Sequence, residues 1–280
     1  MIDRTQLQQF QTEVWQYYDQ RGRHDLTWRL PDDKGEFDPY KIMVSELMLQ
    51  QTQVNRVLSK YAEFLETFPT VQDLAVASLG DVLRVWQGLG YNRRAKFLWQ
   101  AAQMVVVEYD GKFPRGQKEL TALPGVGMNT AGAIMAYAYD VPVVFIETNI
   151  RTVYIHHFFA GQEAVPDKAI HELVEATLPG RGGDGQGSPR LWYWALMDYG
   201  THIKQLHGNK SRASKSYAKQ SPFEGSRRKV RGAVLRYLSH KPGTFDELAK
   251  EESDPRLTEV VAALQAEGMV REEAGRYSLA

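Results

Sequence analysis

The chain has 280 residues, is 43% hydrophobic and 24% charged, contains no cysteine and sums to zero formal charge. That size and apolar share fit one large or two ordinary globular domains with a proper core and exclude wholesale disorder, and the lack of any run of about 18 apolar residues excludes a spanning helix. The missing cysteines exclude disulfides, thiolate zinc sites, thiol nucleophiles and cysteine-ligated iron–sulfur clusters together.

In chain order, the opening MIDRTQLQQFQTEVWQYYDQ has no apolar h-region and does not read as a secretory signal. Leu7, Phe10, Val14 and Tyr17 recur at helical spacing, as do Val54, Val57, Leu58, Tyr61 and Leu65. Ser78 with Asp81 three residues on predicts a helix start, and Pro166-Asp167 predicts another. VPVVFIE (141–147) is the one strand-like run before residue 200, and 179–190 (PGRGGDGQGSPR) reads as a Gly-rich surface loop. Between Thr201 and Lys241 stand eleven Lys/Arg and one acid, Glu224, whereas 242–280 carry nine acids and four bases. Such a belt suits a polyanion held at one place, or a solvated linker; charge alone leaves both open. Residues 227–280 then read as three helices and a hairpin turning at Ala274-Gly275, the order of a winged-helix module. Its third helix is not basic, so a protein-contacting or purely structural role competes with groove reading.

Four segments carry chemistry. In LTALPGVGMNTAGAI (120–134), Pro124 stops one helix, the glycines allow close backbone approach, and the next helix starts with outward amides. That is a helix–hairpin–helix with a phosphate seat at Gly125, Val126, Gly127, Asn129 and Thr130; an ordinary tight turn is the alternative. In YKIMVSELMLQQTQV (40–54), Glu46 sits within a run from Ile42 to Asn55 that is otherwise uncharged: buried it suits a general acid, solvent-facing it is unremarkable in an amphipathic helix. Gln50, Gln51 and Thr52 follow with neutral groups suited to base edges. In FIETNIRTV (145–153), Glu147 stands at a helix mouth before Asn149, as a cap or as a functional carboxylate. Tyr91, before NRRAKFL, suits wedging into a duplex or plain core packing.

SELMLQQTQV, QGLGYNRRA, LPGVGMNTAGA and ETNIRTV stand in the order and at the separations of helix–hairpin–helix DNA glycosylases, and from about Trp28 to Ile203 the chain most closely resembles the adenine-specific mismatch glycosylases. The resemblance implies an all-α, two-lobed fold over residues 1–203 with the hairpin at 120–134, a basic loop at 204–226, and a small C-terminal winged-helix-like module at 227–280. It implies a monofunctional glycosylase of base excision repair acting on double-stranded DNA with a mismatched or damaged base, adenine first, opposite 8-oxoguanine among the partners. The alternatives are a glycosylase for thymine, uracil or a deaminated purine, and a non-catalytic DNA-binding protein on the same scaffold. It places Glu46 as general acid, Glu147 as the second carboxylate and Asn149 beside it, with Gln51 and Tyr91 filling and propping the opened duplex. Gln50, Thr52 and Asn129 join that base pocket, and Lys204, Lys210, Arg212 and Lys215 join the phosphate contacts. The implied protein is a cytoplasmic, nucleoid-associated monomer, without a membrane and with no transition metal; a monovalent cation at the hairpin carbonyls comes from the resemblance alone.

Four departures from the family shape these expectations. Glu147 stands where the family has Asp, moving the carboxylate by about 1.5 Å, and a shift of that size can cost about 100-fold in rate. Asn129 stands where bifunctional relatives carry a Schiff-base lysine, so no β-lyase step is expected. The family's four cluster cysteines fall on Lys204, Ser211, Ser214 and Gln220, so packing or hydrogen bonds must hold that loop. The family's C-terminal reader of oxidised guanine is absent, with the winged-helix-like module in its place.

Overall fold

The computed structural model describes residues 3–180, 185–219 and 222–280. Helices α1 (Arg4–Arg21), α2 (Pro39–Leu49), α3 (Val54–Thr67), α4 (Val71–Val76), α5 (Leu79–Val85), α6 (Arg93–Glu108) and α7 (Gln117–Ala122) lead to the hairpin. Beyond it run α8 (Met128–Tyr139), α9 (Thr148–Phe158), α10 (Asp167–Thr177), α11 (Pro189–His207), α12 (Arg227–His240), α13 (Phe245–Glu251) and α14 (Leu257–Ala266). Their boundaries follow local chemistry. Ser78 caps α5 by accepting from the Asp81 amide, Thr70 and Asp73 form a full capping box on α4, and α10 begins directly after Pro166.

α2 stops at Leu49, Gln51 turns left-handed (φ 55°), and α3 begins at Val54, so Gln50, Gln51 and Thr52 sit in the turn at the helix end. One sequence expectation changes. The run 141–147 lies extended without joining a sheet, because side chains satisfy its backbone instead. The Tyr193 hydroxyl donates to the Val143 carbonyl at 2.7 Å and accepts from the Phe145 amide at 3.4 Å. Of the Gly-rich loop, 181–184 lie outside the described residues; its end is a short 3-10 turn before Ser188, which caps α11.

The chain forms two compact units, one comprising Met1–Ile42, Arg115–Ala122 and Val126–Lys219, the other Met43–Pro114, Leu123–Gly125 and Gln220–Ala280. In the first, α11 packs on α1, α8 and α9 around an aromatic core in which Phe10 meets Tyr154 and Trp192 with ring centroids 5.1 and 5.9 Å apart. Asp198 of α11 is 2% exposed and neutralised by two arginines. Arg29 grips it with both terminal nitrogens at 2.8 and 2.9 Å, while Arg23 adds its backbone amide at 2.7 Å and Nε at 2.8 Å. This binds both residues after α1 to the helix that carries Lys204.

In the second unit α4 and α5 pack on α6 around buried Phe64, Leu74, Trp86 and Leu98. The C-terminal segment has the expected three helices and hairpin, plus a short strand that the sequence did not suggest. β1 (Gly243–Thr244), β2 (Val270–Glu273) and β3 (Arg276–Leu279) form an antiparallel sheet in the order β1-β3-β2, with Val270 opposite Leu279 and Gly243 opposite Tyr277. Ala274 (φ 51°) and Gly275 (φ 77°) make the two-residue turn between β2 and β3. The segment is fastened to the rest of its unit: Glu267 takes two bonds from Arg231, at 2.9 and 2.7 Å, and one from Arg93 at 2.6 Å. The Gly80 amide donates to the Ala280 carbonyl at 2.6 Å, where a β-carbon on Gly80 would collide.

Burial alone pushes the Asp198 carboxyl pKa up, but hydrogen bonds and charge from Arg29 and Arg23 override it and hold the value below the ordinary one. A carboxyl depressed in the folded state contributes stability above its unfolded pKa and loses it as pH falls through the folded value. Asp198→Asn should therefore flatten the acid side of a stability–pH curve, and Asp198→Ala should remove about 3–5 kcal/mol in urea denaturation at neutral pH. Parental stability of the alanine variant would contradict this account of the core.

Candidate active site

Glu147 stands at the N-terminus of α9 in extended geometry (φ −94°, ψ 170°), and its side chain makes no capping hydrogen bond. The capping explanation left open by the sequence therefore fails, and the carboxylate remains available beside the partial positive charge of the helix end. Withdrawal from water pushes its pKa up, and the Lys204 ammonium pulls it back. Lys204 is itself half-buried; burial lowers its pKa while Glu147 raises it. Its Nζ donates to Asn149 Oδ1 at 2.5 Å, and Asn149 Nδ2 lies 3.9 Å from Met197 Sδ. Glu147, Asn149 and Lys204 are thus one polar group set on α9 and α11.

Two further residues hold that group in place. Asn129, at the start of α8, donates through Nδ2 to the Ile146 carbonyl at 3.0 Å and accepts from the Ile146 amide at 3.4 Å, fixing the backbone next to Glu147. Gly200 of α11 lets α9 come so close that a β-carbon there would sit 2.5 Å from the Asn149 carbonyl oxygen. Sequence reasoning missed Gly200; its signal was a lone glycine inside the apolar pattern of a long helix.

Lys204 was expected in a basic loop at DNA phosphates. Instead α11 continues to His207, so Lys204 is helical and directed at Asn149. The loop after it is held as expected, by hydrogen bonds. Ser211 (2% exposed) donates to Asn209 Oδ1 at 2.6 Å, and Ser214 (6% exposed) donates to Asp167 Oδ1 at 3.2 Å. Asp167 also pairs with Arg151 at 2.9 Å, and the 213–215 backbone bonds to Val165 on both sides. Lys204, Ser211 and Ser214 offer an ammonium and two hydroxyls, a donor set unfit for an iron–sulfur cluster; Gln220 lies outside the described residues. Lys210 is half-buried, and Arg212 and Lys215 are exposed.

In the other unit, Glu46 lies on α2 and is half-buried, flanked by Ser45 (1% exposed) and Leu47 (0% exposed). It is neither on a solvated face nor sealed in the core. The turn after α2 is organised by Arg94, 7% exposed, which the sequence did not single out. Its Nη1 donates to the carbonyls of Leu47, Met48 and Gln50 at 2.7, 2.9 and 2.5 Å. Its Nη2 reaches Thr52 Oγ1, Leu89 O and Gly90 O at 3.1, 3.2 and 3.1 Å. Burial pulls its pKa down to about 10, so it stays charged at neutral pH. Gln51 and Tyr91 are exposed on either side of this staple, both left-handed.

At the hairpin, Gly125 (φ 78°) leaves no room for a β-carbon, which would lie 2.7 Å from Phe97 Cβ. A β-carbon on Gly127 would meet nothing, so the start of α8 is open on that side; Gly127 and Asn129 are exposed there, whereas Val126 and Thr130 are buried. Among the described residues no cluster of histidine and carboxylate side chains could hold a metal, and no helix is long and apolar enough to cross a membrane. His156 instead stacks on His207 at 4.9 Å.

The hairpin kinked at Gly125 thus opens α8, and an uncapped carboxylate stands at the start of α9. Residues 44–178 match the HhH-GPD superfamily base excision DNA repair protein. Curated relatives include two named adenine DNA glycosylase. The one from Buchnera aphidicola is 33% identical over 169 residues (60% of this chain, 46% of that protein), and the one from Mycobacterium tuberculosis is 40% identical over 188 residues (66% and 58%). The chain thus spans about half the length of the curated relatives it matches. Among solved structures, a thermostable thymine-DNA glycosylase aligns with TM-score 0.61 and 26% identity over 74% of this chain and 91% of that one.

The carboxylate–ammonium arrangement makes a measurable statement. Removing the ammonium leaves burial unopposed, so the Glu147 carboxyl titration followed by 13C NMR should move to higher pH in Lys204→Met. An unmoved midpoint would contradict the electrostatic coupling.

Proposed function

We propose that this protein is a monofunctional DNA glycosylase that flips a base out of duplex DNA and hydrolyses its N-glycosidic bond, with adenine in a mismatch as the target. The observation that carries the reading is Glu147: a desolvated carboxylate, unused as a cap, held beside Lys204 and Asn149 in the segment that resembles the glycosylases' second acid. The names of the curated relatives supply the base.

The chemistry follows from the two carboxyl groups. As the C1′–N bond breaks, its electron pair passes to the base, and Glu46 donates a proton to that leaving group. The sugar becomes an oxocarbenium-like cation, and ionised Glu147 stabilises it until water adds at C1′ and gives up its proton. The products are a free base and an abasic site. Lys204 helps to keep Glu147 anionic despite burial, which is the state the cation requires. Asn129, whose amide brackets Ile146, offers no amine for a Schiff base, so the abasic strand stays intact. Binding of phosphate at Gly125, Val126, Gly127 and the first turn of α8 belongs to this reading, as do a monovalent cation at the hairpin carbonyls and a cytoplasmic setting.

A second reading changes only the base: the solved structure with 26% identity is named a thymine-DNA glycosylase. A panel of duplexes decides, carrying adenine opposite 8-oxoguanine or guanine, and thymine, uracil or hypoxanthine in mismatches. Adenine duplexes should yield strand breaks only after alkali; breaks at thymine or uracil alone would install the second reading. Tight binding with no abasic product on any duplex would leave a non-catalytic DNA-binding protein.

A further inference from the structure

We propose that the C-terminal module extends the nucleic-acid interface with a cationic trough that holds the phosphodiester backbone of a DNA strand beside Gln51 and Tyr91. The trough lies wholly within the second unit. A cavity of about 440 Å³ is lined by the loop carrying Gln87–Asn92, by Gln51 and Arg56, and by one face of α12. A further cavity of about 470 Å³ shares Gln87, Gly88 and Arg236 with it and adds Arg84 and His240, so the two run on as one trough.

Three independent features point to a strand as the occupant. The first is charge: Arg56, Arg228, Lys229, Arg231 and Arg236 line the first of these cavities against one acid, Glu252. Arg231, Lys229 and Arg236 are partly neutralised by Glu267, Glu224 and Glu251, but Arg56 makes no ion pair among the described residues. The second is backbone strain. Gln51 (φ 55°) and Tyr91 (φ 46°) are non-glycine residues held left-handed, and both face this same cavity. Strain of that kind persists where the surroundings impose it and gathers at binding sites. The third is an exposed aromatic flanked by guanidinium groups. Arg228 donates to the Tyr91 hydroxyl, its Cζ lies 5.3 Å from the ring centroid, and that of Arg94 lies 5.5 Å away. An aromatic face for one unstacked base beside a line of cations for successive phosphates is how single strands are tracked. The basic belt of the sequence thus acts in part through α12, and the module's role is as a phosphate clamp rather than through its non-basic third helix.

This inference rests on DNA being the partner in the proposed function, and its test does not require catalysis. The probe is a fluorescent duplex with a tetrahydrofuran abasic mimic, titrated by anisotropy at several NaCl concentrations with the full chain. Arg56→Ala and Arg228→Ala should each weaken binding about 3- to 10-fold at physiological salt. Each should also reduce the slope of log K against log [NaCl] by about 0.9 per lost phosphate contact. Arg56→Ala guards against misfolding, since that side chain is exposed and makes no ion pair among the described residues; circular dichroism melting checks both variants. Parental affinity and salt slope in both folded variants would overturn the trough. Parental slopes together with normal base excision would overturn the trough alone. Reduced slopes with no excision on any duplex would keep the trough and remove the glycosylase.

Discussion

The second unit depends on one buried cation. The terminal nitrogens of Arg94 gather six oxygens from two chain segments far apart in sequence, the end of α2 with its Gln50–Thr52 turn and the Leu89–Gly90 loop. Helix ends leave carbonyls without partners, and a buried helix end must find donors elsewhere. A guanidinium supplies five N–H groups in a fixed fork, a reach no other side chain has. Because one group satisfies both segments, the orientation of α2, which carries Glu46, is fixed together with the turns that present Gln51 and Tyr91. The stacking of Arg94 near Trp86, 5.4 Å from its centroid, and the bond from Trp86 Nε1 to the Gly90 carbonyl at 3.1 Å close the arrangement.

The first unit solves a comparable problem around an anion. Glu147 is placed by Asn129 through its backbone neighbour, by Gly200 through the approach of α11, and by Lys204 through charge. Each acts on a different degree of freedom, so no single flexible side chain sets the carboxylate's position. The loop after α11 shows how a fold keeps a segment ordered without a cluster. At the positions where the resemblance implies cluster cysteines, Lys204, Ser211 and Ser214 each make a side-chain hydrogen bond, to Asn149, Asn209 and Asp167.

Much of this was legible in the sequence, because the signals were local. The hairpin string, the Ser78 cap, the Pro166 helix start and the Ala274-Gly275 turn each depend on residues within one turn of each other, and all reappear in the structure. The resemblance likewise singled out Glu147 without showing whether it was a cap. What escaped depended on partners far away in the chain. Lys204 read as a DNA-facing cation because its oxygen partner lies 55 residues distant, and the Arg94 staple went unread because its partners lie as far as 47 residues away and no local pattern announces it. The run 141–147 read as strand-like because β-branching suits extended backbone; Tyr193 and Asn129 supply its hydrogen bonds from other helices. β1 is too short to carry a period-2 signal.

The proposed function sets two glutamates, remote in the chain, on one glycosidic bond. The most direct measurement is the single-turnover excision rate of Glu46→Gln and Glu147→Gln on whichever duplex the parent processes fastest, with folding verified for both. The account predicts that each variant falls by about 100-fold or more, within the range attributed to a positioned acid or base. A parental rate in either folded variant would contradict it.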